Sequence, residues 1–297
     1  MTSDESIRAD ICEVGRRLYA QGYVASNDGN ISVRLDDSRI MTTPTGVSKG
    51  FMTPDMMVVV DNTGKKLSGD RNASSELKMH LAVYEIRPDV RSVVHAHPPT
   101  ATGFAVAGIP LDRAVLAEVI CMLGSIPIAE YATPSTTELP DAVRRYIKAH
   151  DGLLLANHGA LTCCRSLFSA YYKMETVEHF AKISLVARQL GGERVLSREE
   201  VGKLQNLRDM YGISSPAGIC TDPGEERAQS GECQVVRAPV TGGERLVSDR
   251  ALGHPSISAS FTASPSGLPA GVSADTEIRL TYRELQGLIE DAIRALR

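Results

Sequence analysis

The stretch Ser92-Val93-Val94-His95-Ala96-His97-Pro98 limits what this chain can fold into more than any other. Strand-like sequence runs into two histidines spaced i, i+2. Alternate side chains of a strand share a face, so His95 and His97 point the same way, and Pro98 ends the strand. Two neutral imidazoles converging at a strand end make half of a metal site. A third histidine, His158, follows a second short apolar run, Leu153-Leu154-Leu155-Ala156. Three histidines at strand ends with one coordination position open form the pattern of a catalytic rather than a structural zinc site. The competing reading of a lone His-x-His pair is a strand that merely carries histidines. The third histidine and the polar turns described below favour the metal.

Around this strand the elements alternate. Ile7, Ile11, Val14 and Leu18 fall at helical spacing from Asp4 to about Gln21. A polar glycine loop, Ala25 to Asn30, turns into a strand, and Arg39 to Thr43 and Met57 to Asp61 read as two more. Asn62-Thr63-Gly64 has hairpin-turn chemistry. Serines at 74 and 75 cap a helix whose apolar stripe is Leu77, His80, Leu81 and Tyr84. Further helices are expected over residues 139–150, 166–190 and 197–211. Hairpin signals outnumber clean βαβ units, so the expected fold is α/β, with a mostly antiparallel central sheet and helices on both faces.

Charged residues make up 23 % of the chain and the formal net charge is −4, with no basic run that could track phosphates, so a nucleic-acid partner is not expected. No apolar run reaches the length of about eighteen residues that spans a bilayer, and the acidic start lacks a signal-peptide pattern. A cytoplasmic protein without a membrane partner is the expectation. The six cysteines, Cys12, Cys121, Cys163, Cys164, Cys220 and Cys233, show no Cys-x-x-Cys pair and read as reduced thiols. Cys163 and Cys164 follow His158 closely, as ligands or, in the commoner role of a buried thiol, as small packing residues.

From Ser214 the composition shifts to Gly, Pro, Ser, Ala and Thr. The expected organisation is a catalytic domain over residues 1–213, a disordered linker over 214–276 and an amphipathic helix over 277–297. Val235-Val236 with Leu246-Val247 offers a small hairpin as the alternative within the linker. At the end, Thr281-Tyr282-Arg283-Glu284 has the form of a capping box, and Leu285, Leu288, Ile289, Ala292, Ile293 and Leu296 line one helical face. So short a helix needs a partner to cover that stripe, whether its own oligomer or another protein.

Three turns of small polar residues precede the histidine strand: Gly29-Asn30, Thr45-Gly46 and Ser74-Ser75. Hydroxyls, a carboxamide and glycine amides suit a phosphate dianion. Together with a histidine-bound metal they point to a phosphorylated substrate. Glu76, beside the serines, would stand between phosphate and metal, where a carboxylate can move a proton at the carbon α to a carbonyl. Its alternative role is a first-turn helix-dipole residue.

Gly29-Asn30-Ile31-Ser32, Thr43-Pro44-Thr45-Gly46, Ser74-Ser75-Glu76, His95-Ala96-His97 and Asn157-His158-Gly159, in this order, resemble the class II aldolase/adducin family. The resemblance covers roughly residues 5 to 212 and is strongest to the fuculose-phosphate aldolase group. It implies one Zn²⁺ per subunit held by His95, His97 and His158, with Glu76 as acid/base. It also implies phosphate binding by Asn30, Thr45, Gly46, Ser74 and Ser75, and a homotetramer with active sites between subunits. Fuculose-phosphate aldolases carry a catalytic tyrosine before the segment matching Gly124-Ser125-Ile126-Pro127, whereas Val115-Leu116-Ala117-Glu118-Val119-Ile120 has none. Glu118 is the ionisable group there, either serving a neighbouring subunit's site or simply lying on the surface. The expected activity is retro-aldol cleavage of a ketose 1-phosphate of the fuculose or rhamnulose type. The products would be dihydroxyacetone phosphate and a short aldehyde such as lactaldehyde. Decarboxylation of a phosphorylated 3-oxo sugar acid and a non-catalytic adducin-like scaffold are the alternatives. The linker-plus-helix tail resembles the encapsulation peptides of bacterial microcompartments, which implies a shell protein as partner for residues 278–297.

Overall fold

The computed structural model describes residues 3–213, 215–220, 231–242 and 245–246; the expected terminal helix lies outside them. Helix α1 (Ser3–Ala20) precedes four strands, β1 (Asn30–Arg34), β2 (Ile40–Thr42), β3 (Val58–Val60) and β4 (Lys66–Ser68). Helix α2 (Leu77–Ile86) leads to the histidine strand β5 (Ser92–Ala96), then to α3 (Pro99–Val106) and the short α4 (Ala117–Met122). Next come β6 (Ile128–Ala129), α5 (Glu138–Ile147), β7 (Gly152–Leu155), β8 (Gly159–Cys164) and the long α6 (Leu167–Gln189). The remainder is β9 (Glu193–Arg194), α7 (Arg198–Met210), β10 (Ile219–Cys220), β11 (Gln234–Val235) and β12 (Arg245–Leu246).

Eight strands form one sheet in the order β4-β3-β2-β1-β5-β8-β7-β6. Every pairing is antiparallel except β6 with β7, so the expected mixed sheet with helices on both faces is what forms. The two-residue period of β5 divides it between two cores. Val94 and Ala96 pack with Ile11, Val14, Leu18, Met174 and Phe180 of α1 and α6. Val93 packs with Leu77, Met79, Val83, Leu139 and Val143 of α2 and α5 on the opposite side. His95 follows the Val93 face, the side from which α2 presents its N-terminus.

Buried charges anchor the strand that leads to His158. Asp151 accepts from Arg87 Nη2 at 2.9 Å and from Lys173 Nζ at 2.5 Å, each carboxylate oxygen taking one cation. Removing one partner would leave the other charge buried and unpaired, which makes such a pair hard to break.

Two expectations are corrected here. Residues 215–220 and 231–242 are not free linker. Val236 and Ala238 are buried with Ala114, Ile120, Val195 and Val201, and Gln234, fully buried, donates to Ala149 O at 2.7 Å. Nor are all six cysteines reduced: Cys220 and Cys233 form a disulfide, while Cys12, Cys121, Cys163 and Cys164 are free. A few apolar side chains and one cross-link order a segment that its average composition marks as unstructured. Among the described residues no helix is long and apolar enough to cross a membrane.

Candidate active site

The histidine cluster is assembled where β5 and β8 run side by side. His95 is opposite Asn30 of β1 on one side and Leu161 of β8 on the other, which fixes its backbone by pairing on both edges. The turn between β7 and β8 carries His158, and Asn157 before it takes the left-handed conformation (φ 54°) that tightens this turn. Glycine is needed next: a Cβ on Gly159 would lie 2.6 Å from both Ala96 O and His97 Cδ2. A second close approach occurs at Gly29 (φ +71°), whose Cβ would meet His95 O at 2.8 Å.

One side-chain nitrogen from each of His95, His97 and His158 falls within 4.8 Å of the other two. The Nε2 atoms of His95 and His97 are 3.1 Å apart, close to the roughly 3.3 Å that two nitrogens about 2.0–2.1 Å from a tetrahedral zinc would keep. Each of these two rings is oriented through its other nitrogen. His95 Nδ1 bonds to Ala160 O at 2.9 Å, and His97 Nδ1 faces Asp28 Oδ2 at 3.4 Å. Outer partners of this kind fix the tautomer that leaves Nε2 free to ligate. Burial lowers the His95 pKa to about 3 and depresses that of His97, so both imidazoles are neutral near pH 7, the form a metal takes. The donor set, its spacing and its outer partners therefore fit a divalent cation.

Glu76 reaches the cluster from the position just before α2, with its backbone N–H bonded to Ser74 Oγ at 3.3 Å. Its Oε1 lies 3.1 Å from His158 Nε2, and its Oε2 lies 3.4 Å from His95 Nε2 and 2.8 Å from Asn30 Nδ2. Burial pushes the carboxyl up, but the His158 hydrogen bond, the neighbouring imidazoles and the Asn30 amide outweigh it and hold Glu76 ionised.

The three polar turns converge. Thr45 N–H donates to Asn72 O at 3.0 Å and Ser74 N–H to Thr43 O at 3.2 Å, which joins the Thr45-Gly46 loop to the Ser74-Ser75 loop. A cavity of about 460 Å³ is lined by Tyr19, Ser26, Asn27, Gly46, Ser48 and Phe51. Of the residues anticipated for phosphate, Gly46 lines it, Thr45 beside Gly46 and Ser75 on the adjoining loop are exposed, and Asn30 is turned to Glu76. Three contributors escaped the sequence reading: Asn27, Ser48, whose buried hydroxyl has no partner, and Lys49. The Lys49 ammonium bonds Asn27 O at 3.0 Å and Val47 O at 2.6 Å, tying the two loops together. Burial lowers its pKa to about 8. A lysine three residues past a glycine turn looks like a surface residue, so only the tertiary fold exposes its role. Glu118 is exposed on the first turn of α4, and the cluster of Asn30, Glu76 and three histidines does not include it. Cys163 is buried in the sheet and stands apart from the histidines as a packing residue.

Several known proteins are similar to this chain in sequence and fold. An L-fuculose phosphate aldolase from Escherichia coli is 33 % identical over 205 residues, covering 69 % of this chain and 93 % of its own. A 3-oxo-tetronate 4-phosphate decarboxylase from Pectobacterium atrosepticum is 27 % identical over 210 residues, covering 69 % and 94 %. A solved L-fuculose 1-phosphate aldolase superposes with a TM-score of 0.65 at 30 % identity, covering 71 % of this chain and 98 % of that one. Residues 9–185 match the domain family described as Class II Aldolase and Adducin N-terminal domain. The chain belongs to the class II aldolase/adducin family, whose relatives named here are lyases of sugar phosphates and sugar-acid phosphates.

Proposed function

We propose that this protein is a metal-dependent lyase that breaks a carbon–carbon bond beside the carbonyl of a phosphorylated sugar and releases dihydroxyacetone phosphate. The observation that carries this reading is the Glu76 carboxylate, held 3.1 Å from His158 and 3.4 Å from His95 at the mouth of a three-histidine cluster. A divalent cation on His95, His97 and His158, when bound, would supply the Lewis acid that makes electron density beside a carbonyl tolerable at neutral pH. Zinc, one per subunit, is the ion proposed. Asn27, Gly46 and Ser48, in the cavity one residue along the chain from Asp28, would take the phosphate, with Ser74 and Ser75 on the adjoining loop. Glu76 would return the proton to the carbon that loses its partner.

The first reading is retro-aldol cleavage of a ketose 1-phosphate of the fuculose type. A second is favoured by one observation: the segment Val115–Ile120 holds no tyrosine. Retro-aldol cleavage needs two proton-handling groups, one to take the hydroxyl proton and one to protonate carbon. Decarboxylation of a 3-oxo-tetronate 4-phosphate needs only the second, since carbon dioxide leaves without a proton. Glu76 alone would suffice, passing to that carbon a proton that it takes from solvent. Both reactions give the same three-carbon product. The reading extends to a homotetramer, in which Glu118 could serve the adjoining subunit, and to residues 278–297 as a shell-protein ligand inside a microcompartment. The family resemblance and the tail pattern support those two parts.

The test is to incubate the zinc-loaded protein with L-fuculose 1-phosphate and, separately, with 3-oxo-tetronate 4-phosphate. Dihydroxyacetone phosphate with lactaldehyde supports the first reading, and dihydroxyacetone phosphate with carbon dioxide the second. A protein that takes up no zinc when zinc is supplied, and forms that product from neither substrate, would leave a scaffold as the reading.

A further inference from the structure

We infer that Lys49, buried behind the cavity wall, is the positioning residue and counter-charge for the substrate phosphate; the inference rests on the reading above that this cavity takes the phosphate. Lys49 opens the single 3₁₀ turn Lys49–Phe51 and is only 2 % exposed. Its Nζ donates to Val47 O at 2.6 Å and to Asn27 O at 3.0 Å, one carbonyl from each of two loops. Asn27 and Ser48 line the cavity, so the ammonium stands one peptide unit behind its wall. Helix α1 clamps the same turn from the other side. A Cβ on Gly15 would lie 2.5 Å from Lys49 O, and one on Gly50 would lie 2.5 Å from Tyr19 Cγ. The charge is therefore held in a fixed place.

The ammonium orients peptides as well as charging the site. A trans peptide points its N–H opposite to its C=O, so drawing Val47 O towards Nζ aims Ser48 N–H the other way. Among the described residues that N–H has no acceptor, and the buried Ser48 hydroxyl has no partner either. The N–H groups of Gly46 and Val47 are likewise without an acceptor there. Successive unspent N–H groups of this kind suit an anion. None of the side chains that line the cavity carries a charge, so these donors alone would leave the charge of a phosphate dianion uncompensated. Lys49 has the matching deficit: its Nζ bonds to carbonyls, and among the described residues no carboxylate pairs with it. A buried cation without an anion is costly, and a dianion across the Val47–Ser48 peptide would offset that cost. Burial lowers the Lys49 pKa to about 8, with Asp28 and Glu76 opposing the shift, so the cation persists at pH 7.

The probe is dihydroxyacetone phosphate, the product common to both substrate readings, with unphosphorylated dihydroxyacetone as its uncharged counterpart. Binding to the zinc-loaded wild type, Lys49→Met, Lys49→Gln and Lys49→Arg is followed by NMR titration at pH 7. Lys49→Met keeps most of the side-chain volume and removes the charge. Lys49→Gln removes the charge but keeps an N–H donor, so it serves if the methionine variant folds poorly. Both should bind dihydroxyacetone phosphate about 10–100-fold more weakly, the size of a solvent-screened charge–dianion interaction at an effective dielectric of about 20. Lys49→Arg keeps the charge and the donors and should stay within about fivefold of wild type. Zinc content and the affinity for dihydroxyacetone should be unchanged in every variant, which a mere loss of loop structure would not allow. Undiminished binding of dihydroxyacetone phosphate in Lys49→Met and Lys49→Gln overturns the inference alone. Equal losses of zinc and of both ligands would make Lys49 a structural tie between loops and nothing more. A wild type that binds dihydroxyacetone phosphate no better than dihydroxyacetone would remove the phosphate reading of the cavity, and this inference with it. A wild type that binds it but exchanges none of its carbon-bound hydrogen in D₂O would remove the lyase reading and leave the role of Lys49 standing.

Discussion

The histidine cluster and the segment joined by Cys220 and Cys233 reach order by opposite means. At the cluster, three histidines and a glutamate come from long, well-paired elements, and β5 is buried from end to end between two neighbours. In the second region the strands β10 and β11 are two residues each, and order comes from a disulfide, the buried Val236 and Ala238, and one ladder to the loop before α4. There Arg237 N–H donates to Asp112 O at 2.7 Å and Ala114 N–H donates to Arg237 O at 3.1 Å. In the first region strand pairing on both edges of β5 over-determines the backbone that presents the side chains. The second shows how few contacts suffice to hold a chain in place where positional tolerance is larger.

The largest effect expected from this contrast is at a ligand. His95→Ala should abolish stoichiometric zinc and lower turnover by about 10³-fold or more, since a Lewis acid contributes several kcal/mol. The fold should persist, because His95 side-chain atoms are a small part of the two cores flanking β5. Metal analysis and circular dichroism check both halves. Retained zinc with full turnover would overturn the metal assignment and remove the functional side of the comparison.

Next comes the backbone that presents the ligands. Gly159→Ala puts a methyl group 2.6 Å from Ala96 O and His97 Cδ2, closer than such contacts ever settle. Either the end of β5 or the His97 ring has to move. Zinc affinity, measured by competition with a chelating dye, should fall about 10–100-fold. An unchanged affinity would mean that the cluster tolerates displacement, contrary to the contrast drawn here.

The same difference decides what could be read in advance. His95, His97 and His158 were legible because period-two alternation and a stop at Pro98 are local signals. Glu76 followed from its place beside the Ser74-Ser75 turn, although Glu76 itself and not a serine occupies the position before α2. The sheet was legible as mostly antiparallel because hairpin chemistry such as Asn62-Thr63-Gly64 is written in consecutive residues. Lys49 was not legible, since its carbonyl partners at Asn27 and Val47 belong to two loops that only tertiary packing brings together. Nor was the Cys220–Cys233 pair, whose thirteen-residue separation carries no motif. Average composition misled over residues 231–242, because three or four buried side chains outweigh a polar mean when a cross-link has already restricted the chain.

Removing that cross-link gives the third effect. The paired substitution Cys220→Ser/Cys233→Ser frees a loop for which chain-entropy arguments give about 3 kcal/mol. The loss should be regional. Hydrogen exchange should rise over residues 231–242 and α4, while zinc affinity stays within about twofold. A parallel loss of zinc binding would show the two regions to be one cooperative unit.

The smallest effect separates the regions by their response to acid. His80 on α2 is buried, with Nδ1 2.7 Å from Ser32 Oγ, and burial lowers its pKa from the ordinary 6.5 to about 4. The unfolded chain therefore binds a proton below pH 6.5 that the folded chain refuses until near pH 4. Stability from this group is complete above pH 6.5 and is lost progressively as the pH falls through that window. Asp112, beside the disulfide segment, behaves in the opposite sense: burial raises its carboxyl pKa, so the folded state takes up a proton more readily than the unfolded chain. Acid should accordingly loosen the α2 side of the molecule before the 231–242 segment. In urea titrations of metal-free protein, wild type should lose roughly 2 kcal/mol more than His80→Gln between pH 7 and pH 5. Equal losses in the two proteins would mean that His80 already carries its proton in the folded state, so that Ser32 and the surrounding core do not exclude charge there.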